Sequence, residues 1–267
     1  MTMHPALGML LVVGGFAALI VGLRVLRDTR GADPELLRKL LHVGMGLVSL
    51  TLPWIFDTPW PVVILAIAFS VGLLTGRSSA WWTRLAGGIL CGTRRTSVGE
   101  LCFPAAVAAV FVLSMGHPSR FSIPVLTLSL ADAAAALVGT RHGAHRFGRP
   151  GREKSLEGSA AFFVTALLCA YVPLRLWPEG GRAWTLLLSI DVALLLTFVE
   201  AVSGNGLDNL TVPLAACLLV RTLCGSEAWP LVACTVVAAA ALLLLAHRGT
   251  RGVSVSLTTA EIIHEPV

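Results

Sequence analysis

Apolar residues run through this chain in stretches of helical length, separated by short connectors that hold most of the charge. The stretches fall at about 5–23, 40–56, 60–76, 102–116, 121–140, 158–174, 185–202, 209–224 and 228–246. A helix needs about 20 such residues to cross the hydrocarbon core of a bilayer. The pattern therefore predicts an all-α polytopic bundle of about nine membrane spans, with residues 1–248 forming one helical domain. Each stretch is rich in Ala, Gly, Leu and Val, and small residues let helices pack closely in lipid. The tail, 249–267, shows no span pattern and is expected to be partly disordered and cytoplasmic. Met1 to Val21 lacks a basic leading segment and a small-residue cleavage site, so it reads as a retained first span.

The connectors orient the bundle. With the N-terminus outside, the segments 24–39, 77–99, 141–157 and 203–208 and the tail share one side and hold sixteen Lys or Arg residues. The opposite side holds four: Arg120, Arg175, Arg182 and Arg221. Positive charge accumulates on the cytoplasmic side, so the N-terminus is expected outside and the C-terminus inside. Trp81, Trp82 and Arg84 suit a short helix at headgroup level.

Composition agrees. Charged residues make up 13% of the chain, about half the share of a soluble domain. The net charge of +5 reports topology, and a single Tyr supplies no stacking platform, so nucleic acid is excluded as a partner. The six cysteines form no CxxC pair and read as small packing residues.

Against this background a few polar residues stand out. Asp132 lies more than a turn inside the fifth stretch with no cation within a helical turn, so another segment must supply its partner. Asp191 is a second intramembrane acid, nearer the outer side, and reads as structural or protonated. Glu200 and Asp208 bracket an inner turn, and Glu100 opens the fourth stretch on the same side. The connector from Gly139 to Ser159 combines Gly residues with Arg141, Arg146, Arg149, Arg152 and Lys154 and then opens a helix, which suits phosphate as well as plain topology. It is not a Walker A loop, because Glu153 rather than Gly precedes Lys154. Arg38, Lys39 and His42 form a second basic group, with Arg38 and His42 one turn apart on one helix face. His142 and His145 lack the further ligands a zinc site needs, whereas carboxylates beside phosphate suit Mg²⁺.

Taken in order, Arg38-Lys39-x-x-His42, Asp132 with Gly139, Lys154-Ser155-x-x-Gly158-Ser159, Glu200 and Asp208-Asn209-Leu210-Thr211-Val212-Pro213-Leu214 resemble the CTP-dependent lipid-alcohol kinases. These are the phytol kinases, dolichol kinases and CTP-using diacylglycerol kinases. The resemblance covers about residues 35–220. Two positions depart from the family pattern. Leu207 stands where an acidic pair would begin, and the Gly-Arg-Lys-Phe-Gly run is loosened to Arg141 through Gly148.

The resemblance implies transfer of the γ-phosphoryl group of CTP to the hydroxyl of a membrane lipid alcohol at the cytoplasmic face, with Mg²⁺ as cofactor. It implies Asp132 and Asp208 as metal- or hydroxyl-orienting carboxylates with Glu200 in support, and His42 or a carboxylate as proton acceptor. Arg38, Lys39, Lys154, Ser155 and Asn209 would bind nucleotide and phosphate, with Gly139 and Gly158 allowing close backbone approach. The expected partners are the lipid alcohol, a nucleoside triphosphate and membrane lipid, with self-association left open. Two alternatives remain at this point: a CTP:phosphatidate cytidylyltransferase, and a small-solute transporter, which would place polar groups on both faces.

Overall fold

The computed structural model describes residues 3–76, 99–115, 117–148, 153–178, 180–204 and 206–224, with positions 230, 232, 233, 235–237 and 240 beyond them. Ten α-helices are seen among these residues: α1 (Pro5–Arg30), α2 (Pro34–Leu50), α3 (Leu52–Ile55), α4 (Trp60–Gly76), α5 (Gly99–Leu113), α6 (Pro118–Leu126), α7 (Asp132–His142), α8 (Leu156–Leu176), α9 (Arg182–Val202) and α10 (Asp208–Leu223). A π-helical turn, Thr127–Ala131, joins α6 to α7, so that Pro118–His142 runs as one rod. Every stretch expected up to residue 224 coincides with a helix. Among the described residues four helices are long and apolar enough to cross a membrane: Pro5–Arg30, Pro118–His142, Leu156–Leu176 and Arg182–Val202. This is an α-helical membrane protein. The expected span at 228–246 falls mostly outside the described residues, as does the Trp81–Trp82 segment.

Local chemistry sets the ends of these helices. Gly31 closes α1 in the left-handed region, at φ 57°, which costs glycine nothing. Asp33 then caps α2, its carboxylate accepting from the N–H groups of Glu35 (3.0 Å) and Leu36 (3.2 Å), with Pro34 at the first helical position. Pro124 in α6 has no N–H to give the carbonyl of Arg120 four residues back. The hydroxyl of Ser114 donates to that carbonyl instead, at 2.9 Å.

Two apolar clusters form the interior. One gathers Val12, Leu52, Leu65, Phe103, Val110 and Phe121 from α1 through α6. The other joins Phe162 and Ala166 of α8, Leu188 and Leu196 of α9, and Val212 and Ala216 of α10. Asp191 is fully buried beside the second cluster and accepts a hydrogen bond from Thr235. Its other oxygen, Oδ2, is buried without a hydrogen-bond partner among the described residues. Cys102, Cys169 and Cys217 are buried and unpaired, as packing residues should be.

The described ends of the basic connector form a small strand pair. Arg146–Phe147 (β1) pairs antiparallel with Lys154–Ser155 (β2), in the register Arg146 to Ser155 and Phe147 to Lys154. This small ribbon departs from a purely helical expectation. It folds the segment back so that Lys154 stands beside the helix that follows.

Candidate active site

The π-turn and α2 build the centre of the site together. A π-turn shifts the hydrogen-bond ladder by one residue and leaves carbonyls available to other donors. The carbonyl of Leu128 lies 2.9 Å from His42 Nε2. A carbonyl only accepts, so Nε2 carries the proton in this contact and Nδ1 is the basic nitrogen. One helical face of α2 carries Lys39, His42 and Gly46. At Gly46 a Cβ would stand 1.7 Å from the Ser129 hydroxyl, so only glycine lets α2 pass this close to the π-turn.

One turn beyond Ser129, Asp132 receives Lys39 Nζ at 3.0 Å, with His42 Nε2 at 4.0 Å. Lys39 is the cation that the sequence required from another segment. Its side chain is 7% exposed, so this is a largely dehydrated ion pair. A second pair faces the same space. Lys154 Nζ lies 2.5 Å from Glu200 Oε1 and also donates to the Glu200 main-chain carbonyl.

Between the two pairs lies a polar cavity of about 310 Å³. Lys39, Asp132, Gly139, Lys154, Ser155, Gly158, Glu200 and Asp208 all line it, so most of the residues singled out in the sequence converge here. Ser155 caps α8, accepting from the Gly158 N–H at 3.0 Å, which aims the N-terminus of that helix at the cavity. The two glycines do more than expose backbone. A Cβ on Gly158 would meet the Ala135 carbonyl at 2.9 Å, and one on Gly139 would meet the Ser155 hydroxyl at 3.0 Å. Their first role is the close crossing of α7 and α8.

The remaining expected residues sit at the edge. Arg38 turns to Glu35, with Nη2 2.6 Å from Oε1, and is half exposed. The Arg38 guanidinium holds the Glu35 carboxyl below the usual carboxylate range. Asn209 donates from Nδ2 to the Gly99 carbonyl at 3.0 Å, tying α10 to the start of α5. Arg38, His42 and Asn209 line a second, apolar cavity instead of the polar one. Leu207, at the unmatched acidic position, is 45% exposed and outside the polar lining.

Six further residues reach the polar cavity: Ala135, Ala136, Thr140, Glu153 and Ser159, with Arg146 of the basic connector. Arg146 and Glu153 pair across the ribbon at 3.6 Å. Ser159 stood in the sequence motif, and its hydroxyl is buried with no hydrogen-bond partner among the described residues. Glu200 Oε2 is likewise buried and unpartnered. His145, by contrast, is exposed and bound to Glu157 at 2.7 Å. Among the described residues no three His, Cys, Asp or Glu side chains gather closely enough to enclose a metal ion.

Comparison with known proteins finds lipid kinases among the relatives of this chain. The chain is 29% identical to the phytol kinase of Synechocystis over 220 residues, which is 79% of this chain and 88% of that one. It is 26% identical to CTP-dependent diacylglycerol kinase 1 of Schizosaccharomyces pombe over 207 residues, 69% of this chain and 92% of that protein. A 91-residue segment is 30% identical to the dolichol kinase of Saccharomyces cerevisiae, covering 33% of this chain and 17% of that one. The resemblance to the CTP-dependent lipid-alcohol kinases is thus shown by relatives as well as by motifs. No family model and no solved structure matches the chain.

Proposed function

We propose that this protein transfers the γ-phosphoryl group of CTP to the hydroxyl of a lipid alcohol, with the site open to the cytoplasm. The observation that carries this reading is the arrangement of two Lys–carboxylate pairs, each with one buried member, Lys39 and Glu200. Lys39–Asp132 and Lys154–Glu200 face one polar cavity, and an apolar cavity begins at the next residues of α2 and α10. A triphosphate and a hydrocarbon chain can therefore meet at one point. The sixteen-to-four charge bias supports the cytoplasmic orientation.

Phosphoryl transfer is mostly positioning and charge neutralisation. Lys39 and Lys154 supply fixed positive charge in a poorly hydrated setting, where it acts strongly on phosphate. The N-terminus of α8 adds backbone N–H dipoles. Mg²⁺ typically binds one or two carboxylates together with substrate phosphates. The unpartnered Glu200 Oε2, with Asp132 and Asp208 on the same lining, fits that donor set. When bound, the ion would neutralise charge on the donor phosphates. The alcohol proton has two acceptors within reach of the junction: His42 Nδ1 and the Asp132 carboxylate. In this reading Arg38 and Asn209 shape the junction without contacting the nucleotide.

The test is direct. Purified protein with Mg²⁺, γ-labelled CTP and a panel of prenols and diacylglycerol should yield one labelled lipid. Asp132→Asn should lower it by about 10²–10³-fold. Labelled pyrophosphate on addition of phosphatidate, with no labelled lipid, would replace the kinase by a cytidylyltransferase.

A further inference from the structure

The polar cavity carries a third ion pair unlike the two already described. Lys39–Asp132 and Lys154–Glu200 each have a side chain less than a tenth exposed, and their contacts are 3.0 and 2.5 Å. Arg146 and Glu153 stand 3.6 Å apart, with side chains 57% and 46% exposed. Both line the cavity all the same, at its open mouth. A pair this long and this open contributes little to the fold, so it separates easily.

Charge makes Glu153 conspicuous. Among the described residues the polar lining holds three cations, Lys39, Arg146 and Lys154. Against them stand four carboxylates, Asp132, Glu153, Glu200 and Asp208. The formal balance is one negative charge, the wrong sign for a triphosphate. In the kinase reading Asp132, Glu200 and Asp208 serve a bound cation. Glu153 has no such part: it repels an incoming phosphate and occupies the cation that is least held by the interior.

The backbone beneath Arg146 is fixed to α8. The His145 carbonyl accepts from the Leu156 N–H at 2.9 Å, and the His145 N–H donates to the Glu157 carboxylate at 3.2 Å. The His145 ring meets the same carboxylate at 2.7 Å. What is left to turn is the Arg146 side chain. Arg146 stands opposite Ser155 in the ribbon, with Cα atoms about 5 Å apart, and Ser155 caps the N-terminus of α8. Glu153, two residues before Ser155, reaches Arg146 diagonally from the mouth. The guanidinium therefore has two directions open to it: outward to Glu153, or across to a phosphate at the helix end.

We propose that Arg146 is a phosphate ligand held off by Glu153. In the empty site the two side chains pair, and an entering triphosphate takes the guanidinium over in a stronger, bidentate contact. Glu153 is then an internal competitor that weakens nucleotide binding. This rests on the kinase reading and adds to it one phosphate-binding residue and a brake on nucleotide entry.

The experiment measures the Kd of CTP and of inorganic triphosphate for the full chain in lipid nanodiscs with Mg²⁺, and the melting temperature alongside. Arg146→Gln should raise both Kd values about 10- to 100-fold, the loss expected for hydrogen bonds to a charged group. Glu153→Gln should lower both about two- to fivefold, as an exposed ion pair no longer competes. In the Arg146→Gln background Glu153→Gln should change nothing further, because no guanidinium is left to release. Opposite signs at an unchanged melting temperature do not come from a pair that only staples the ribbon, where both variants weaken fold and binding together. Indifference to Arg146→Gln, or weaker binding in both single variants, would overturn the proposal. So would tighter binding by Glu153→Gln that persists without Arg146, since that is plain charge repulsion. Weaker CTP with inorganic triphosphate unaffected would move Arg146 to the base or ribose and sink it too. Binding needs no turnover. The expected affinities without phosphate transfer to any lipid would sink the kinase and leave the Arg146 switch, whereas transfer with CTP affinity unmoved in both variants would sink the switch alone.

Discussion

Lys39 and Asp132 lie 93 residues apart in sequence, yet Lys39 Nζ is 3.0 Å from Asp132 Oδ2 across the junction of α2 and α7. Removing one partner of such a pair leaves the other charge poorly hydrated, which costs about 3–5 kcal/mol when fully buried. Asp132 is 25% exposed, so Asp132→Asn should lose stability at the low end of that range. The double variant Lys39→Met/Asp132→Asn should recover most of it, because the stranded ammonium is gone. Phosphate transfer should stay about 10²–10³-fold down in both. Thermal unfolding in detergent beside label transfer checks this, and recovery of activity in the double variant would make the pair merely structural.

Gly158 gives a packing prediction. Its Cβ would press on the Ala135 carbonyl at 2.9 Å and the Ser155 hydroxyl at 3.0 Å, so Gly158→Ala must separate α7 from α8 or displace the cap. Overpacking of this kind costs about 1–3 kcal/mol. Gly14, where a Cβ meets nothing within 4 Å, should accept alanine with no loss. The two melting curves, run side by side, decide the matter.

Much of this site was legible before any coordinates, for a reason specific to membranes. An acid such as Asp132 is too costly in a span to be incidental, and basic connectors mark one compartment. Those two rules drew attention to Asp132, Lys154, Glu200 and Asp208, which share the polar lining. What pairs with what was not legible. The choice of Lys39 over Arg38 as the partner depends on the register of α2, and that is fixed by Gly46 against Ser129. Nor does spacing announce a π-turn at 127–131 or a two-residue ribbon at 146–147 and 154–155. The apolar cavity was hidden for a further reason. Val12, Phe16 and Phe69 have the same sequence pattern whether they face lipid, a helix or an empty slot.

Glu35 offers a titration with a definite sign. The Arg38 hydrogen bonds hold its folded-state pKa below the usual 4.5. A depressed carboxyl pKa means the pair stabilises the fold fully above that ordinary value. The contribution is lost as the pH falls through the depressed pKa. Carbon NMR of Glu35 should therefore report a midpoint below 4.5. Arg38→Gln should return it towards that value. A midpoint unmoved by Arg38→Gln would detach the two side chains in solution.

Ser159 separates a structural from a ligand-facing role most sharply. Its hydroxyl is buried in the polar lining without a partner, and such a group costs free energy in the folded protein. Were its role structural, alanine would remove a hydrogen bond and lower the melting point. With no bond to lose, Ser159→Ala should leave stability unchanged or raise it by about 1 kcal/mol. If the hydroxyl instead waits for a phosphate oxygen, the loss appears only with nucleotide bound. Hydrogen bonds to charged groups contribute about 1.5–3 kcal/mol, so KM for CTP should rise about 10- to 100-fold. The KM of the lipid alcohol should hold, since in the proposed reading its chain lies in the other cavity. Stability held, nucleotide affinity lost and alcohol affinity kept is a pattern no purely structural serine gives. A KM for CTP unchanged by Ser159→Ala would remove this hydroxyl from the phosphate site.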